Sequence, residues 1–193
     1  MIPIPSREAL RVSLYVHASP SELCDQLRIA YSERQDELMY RLSRASGVFD
    51  ERLEDADWAG DPLRATMMVV LWRVLTHPGS RATILAPSAE GSTLCDEVGH
   101  LAMGFLTEVC MTRDVCLRAI STSKGWNRVE FSGEPGWEVR LTPNCPAMAA
   151  EAASRSLIGV VLDAGCAQPA FVEAQKALEA VARDPRGLLI RLW

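Results

Sequence analysis

Two stretches of this sequence carry residues placed to do chemistry. In Leu157-Ile158-Gly159-Val160-Val161-Leu162-Asp163-Ala164 an apolar run ends in a carboxylate. An acid at the C-terminal end of a buried strand is where nucleotide hydrolases hold magnesium. The same Asp163 can equally close a turn by bonding to its own backbone. The second stretch is Gly60-Asp61-Pro62, at the start of an apolar helical pattern. A phosphate loop requires a glycine-rich turn ending Gly-Lys-Ser/Thr, so that backbone amides and the lysine cradle phosphate and the hydroxyl holds the metal. Here Gly60 stands at the last glycine, Asp61 at the lysine and Pro62 at the hydroxyl. Asp61, read as an N-cap, also occupies the amides and the positive dipole end that a phosphate would use. Such a site is plugged by its own side chain.

Other constellations point nowhere as sharply. Lys124 and Lys176 are the two lysines, and neither sits at a glycine-rich helix start. Cys24, Cys95, Cys110, Cys116, Cys145 and Cys166 form no C-x2-C pair, and His17, His77 and His100 lack a helical i, i+4 partner. They are expected to be reduced core thiols and surface or helix-end imidazoles, with no bound metal or cofactor. A hydrolase built on Asp163 with Glu130 or Glu138 as base, or on Cys145 or Cys166 as nucleophile, has no motif behind it. Between Asp50 and Asp61 lie six acids (Asp50, Glu51, Glu54, Asp55, Asp57, Asp61) against one base, Arg52, with Trp58 among them. Clustered carboxylates with an aromatic anchor can dock on a basic protein surface, while a charge run of this kind is also an ordinary solvated loop or frayed strand.

These residues are positioned by alternating elements. Ser19-Pro20-Ser21-Glu22 is a capping box, opening a helix expected to run to about Ser43 with Gly47 as its exit. A nearly all-apolar helix spans Pro62 to Thr76, closed by Pro78-Gly79; Ala82 to Ala86 reads as a buried strand, and Ser88 caps a third helix to about Met111. Val115 to Ile120 is a strand. Arg128 to Phe131 and Glu138 to Leu141 alternate around Gly133-Glu134-Pro135-Gly136 as a hairpin. Leu157 to Leu162, a helix from Pro169 to about Ala182, and Leu188 to Ile190 complete the series. Strands alternating with helices predict an α/β fold: a mostly parallel sheet flanked by helices, with one antiparallel hairpin. The whole of 1–193 is expected to form one domain with 1–48 as a mainly helical N-terminal part.

Composition limits the function classes. With 193 residues, 48% of them hydrophobic and 23% charged, the chain is that of a globular domain. A net charge of −5 argues against broad binding to nucleic acid. No apolar run is long enough to span a membrane and no signal peptide layout opens the chain, so a cytoplasmic location is expected. A second copy covering an exposed sheet edge would make a homodimer.

The order of segments resembles the ATPase domain of phage terminase large subunits, a P-loop NTPase-like fold. The resemblance is carried by Leu71-Trp72-Arg73-Val74-Leu75, His77-Pro78-Gly79-Ser80-Arg81 and Ile84-Leu85-Ala86-Pro87-Ser88. It continues through Gly125 to Phe131, Trp137 to Leu141, Val160-Val161-Leu162-Asp163-Ala164 and Leu188-Leu189-Ile190. The resemblance implies a phosphate loop before the Pro62 helix and an acidic strand ending Asp-Glu. This chain instead has Asp61, Pro62 and Ala164, so phosphate charge, metal-bound hydroxyl and water activation are each missing. The expected protein is therefore a catalytically inactive, phage-encoded terminase-like domain that binds a protein. Its partner would be the packaging motor, which it regulates, or a host defence complex such as a CRISPR effector, which it inhibits. The contrasting expectation is a nucleotide-binding packaging motor domain.

Overall fold

Ser19 caps α1 (Pro20–Leu27) by accepting the Glu22 N–H at 3.2 Å, while the Glu22 carboxylate accepts the Ser19 N–H at 2.9 Å. The computed structural model describes residues 19–52, 61–76, 80–85, 104, 117–122, 129–133, 137–141, 150, 151, 153–162 and 169–192. The single helix expected from Ser19 to Ser43 is two. Arg28 adopts a left-handed backbone, φ 57°, and the N–H groups of Arg28 and Ile29 close α1 onto the carbonyls of Asp25 and Cys24. Ser32 then caps α2 (Glu33–Arg44) with a second capping box: its hydroxyl accepts the Gln35 N–H, and the Gln35 amide oxygen accepts the Ser32 N–H at 2.7 Å. Ser21 and Asp36 hydrogen-bond across the two helices.

Gly47 does not merely end a helix. With φ +76°, a region that side chains avoid, it begins β1 (Gly47–Glu51). The chain proceeds through α3 (Asp61–Thr76), β2 (Arg81–Leu85), β3 (Leu117–Thr122), β4 (Val129–Gly133), β5 (Trp137–Leu141), β6 (Ile158–Leu162), a 3-10 turn (Pro169–Phe171), α4 (Val172–Val181) and β7 (Leu188–Leu192). The strands form one sheet in the order β1-β7-β6-β2-β5-β4-β3. Pairing is parallel from β1 to β5 and antiparallel between β5 and β4 and between β4 and β3, with a register shift between Leu117 and Ala119. The helix expected over Ser88 to Met111 lies outside the described residues, apart from Gly104, which is helical.

The central parallel strands β2, β6 and β7 are buried on both faces over nearly their whole length, as a helix-covered sheet requires. Ala82, Ile84, Ile158, Val160, Leu162, Leu188, Ile190 and Leu192 face α3 and, beyond it, α1 and α2. Leu85, Val161 and Leu189 face Phe171, Ala174, Leu178 and Val181 of the α4 layer. Lying between sheet and outer helices, α3 is buried nearly all round, with Arg64 the exposed position among its described side chains, which is why its sequence lacks an amphipathic stripe. Arg73 near its end donates from Nη2 to the carbonyls of Ser43 (3.2 Å) and Ala45 (2.6 Å). The same nitrogen lies 3.5 Å from the Leu42 carbonyl. One part-buried guanidinium thus closes the C-terminus of α2 and fixes where β1 begins.

Candidate functional site

The parallel register brings the ends of the strands together. Glu51 stands opposite Leu192, Leu192 opposite Leu162, and Val161 opposite Leu85. The C-terminal ends of β1, β7, β6 and β2 therefore form one edge of the sheet, the side on which open α/β folds bind ligands. The segment 52–60 leaves that edge from β1 and leads to α3, and Asp163 is the residue after β6. One strand, β7, separates β1 from β6, so the ends of these two strands lie about 10 Å apart at two interstrand spacings.

The residues themselves divide. Gly60, Asp163 and Ala164 lie outside the described residues, as do Glu54, Asp55, Asp57 and Trp58. Asp61 is the first residue of α3 itself, inside the helix and not a cap before it, and Pro62 is buried in the first turn. Asp50 and Glu51 belong to β1, so of the two expectations for this run, loop or strand, its first two acids follow the strand. They are drawn into the strand because β7 offers a parallel partner to every residue from Gly47 to Glu51. Glu51 accepts a hydrogen bond from Arg41 Nη2 at 3.0 Å, and the Arg41 guanidinium lies 5.3 Å from the centre of the Phe49 ring. Asp50 sits 3.9 Å from Arg191, which bonds Glu179 of α4 at 3.0 Å. Asp50 and Glu51, at the start of the acidic run, are thus tied into the fold.

A second concavity lies between α1, α2 and the N-terminal half of α3. This cleft, about 220 Å³ with its open mouth, is lined by Cys24, Tyr31, Gln35, Met39, Arg64 and Met68, among others. Burial, then the charges of Asp25 and Asp36, push the Cys24 thiol up to about 12. Its sulfur rests 3.9 Å from that of Met39. A thiol so strongly held in its neutral form is a packing group, not a nucleophile. The Tyr31 hydroxyl is likewise raised, by desolvation and then by Asp25, to which it donates a hydrogen bond at 3.3 Å. Desolvation lowers Arg73, and the α2 carbonyls it bonds offset that cost. Among the described residues no group of three or more His, Cys, Asp and Glu is arranged to hold a metal, and no helix is long and apolar enough to cross a membrane.

Sequence reasoning missed β1 and the Arg73 clamp. Ser32-Glu33-Arg34-Gln35 repeats the capping-box pattern and was a legible signal for α2. Arg73 carried none, because its partners are carbonyls some thirty positions away in the chain.

With this geometry in hand, comparison with solved structures finds the large terminase ATPase domain of Thermus phage P74-26, in a point-mutant form. The similarity has a TM-score of 0.60 at 12% identity and covers 91% of this chain and 70% of that one. No family model matches the sequence, and no curated protein matches it. The likeness establishes a terminase-ATPase-like α/β fold, in which helices flank a mostly parallel sheet.

Proposed function

We propose that this chain is a non-hydrolysing, phage-encoded terminase-like domain that acts by binding a protein partner, either as an inhibitor of a host defence complex or as a regulator of DNA packaging. One observation carries the reading. The connection from β1 to α3, where this fold would cradle phosphate, reads Arg52-Leu53-Glu54-Asp55-Ala56-Asp57-Trp58-Ala59-Gly60-Asp61-Pro62, without a lysine or a hydroxyl residue. Carboxylates there repel a polyphosphate, and Ala164 after Asp163 leaves no glutamate to orient a water. What remains useful is an acidic, aromatic-bearing surface on a rigid platform, suited to a basic face of a protein such as a nucleic-acid channel.

Calorimetry and thermal melting with magnesium-ATP test the reading. No heat of binding and an unchanged melting curve are expected. At 1 mM nucleotide a micromolar site would stabilise the chain by about 4 kcal/mol, a plainly visible shift. Micromolar binding would overturn the proposal and favour the second reading, a nucleotide-binding motor domain, which the fold alone supports. In that event Asp163→Ala should abolish the magnesium dependence, and Asp61→Lys should tighten the site.

A further inference from the structure

We draw no further inference here: the strongest candidate, the cleft between α1, α2 and the N-terminal half of α3, has its Cys24 thiol packed against Met39, its Tyr31 hydroxyl bonded to Asp25 and its Gln35 side chain tied into the Ser32 cap, and nothing in the structure shows what occupies it.

Discussion

Cys24 shows how a single side chain is defined by its surroundings. Its relative exposure is 0%, and its thiol is held near 12 against an ordinary value of 9.0. The folded chain thus favours the neutral thiol, and the stability this contributes is present in full below pH 9 and is lost as pH rises from 9 toward 12. Urea unfolding across that interval should show a falling midpoint, with a shallower fall in Cys24→Ala. Arg73 is the complementary case of a part-buried cation kept charged by carbonyl acceptors. Arg73→Met retains the packing stem but strands the α2 carbonyls, and should cost about 2–3 kcal/mol in unfolding free energy. Arg73→Lys, with a point charge in place of the planar fork, should recover part of that loss.

At the scale of elements, propensity and capping were readable wherever they acted locally. The Ser19 box, the apolar α3 and the unbroken run of β6 follow from residue type and spacing alone. The break between α1 and α2 was hidden because Arg28 enters a left-handed conformation usually left to glycine. The second capping box makes α2 an independent helix start: Ser32→Ala should destabilise the chain by about 1 kcal/mol, measured by chemical denaturation, with Ser32→Asp close to wild type. β1 was hidden for a different reason. Gly47-Val48-Phe49-Asp50-Glu51 is half charged or flexible, and it becomes a strand because β7 pairs with all of it and Arg41 holds Phe49 and Glu51 from α2. The pairing of β1 with the last strand in the sequence could not be read from either segment.

Across the whole molecule, stability should grade from the sheet centre outward. Amide hydrogen exchange is expected to be slowest in β6 and β7, whose residues pair on both sides, and to alternate along β1. There the Val48 and Asp50 amides exchange fast, and those of Phe49 and Glu51 slowly. Uniform protection along β1 would contradict an open edge. The candidate site divides along the same line between local and distant causes. Residue types alone determined that the Gly60-Asp61-Pro62 turn lacks lysine and hydroxyl, that Asp163 ends an apolar run, and that the chain alternates strands and helices, because each depends on neighbours a few positions apart. The tertiary structure alone decided that β1 and β6, the strands preceding these two stretches, end at the same edge of the sheet, that Asp50 and Glu51 are strand residues held by Arg191 and Arg41, and that β1 stands outermost among the described strands. Strand order is set by burying both faces of the sheet between α3 and α4, a condition met by residues far apart in the chain and visible only when they are packed together.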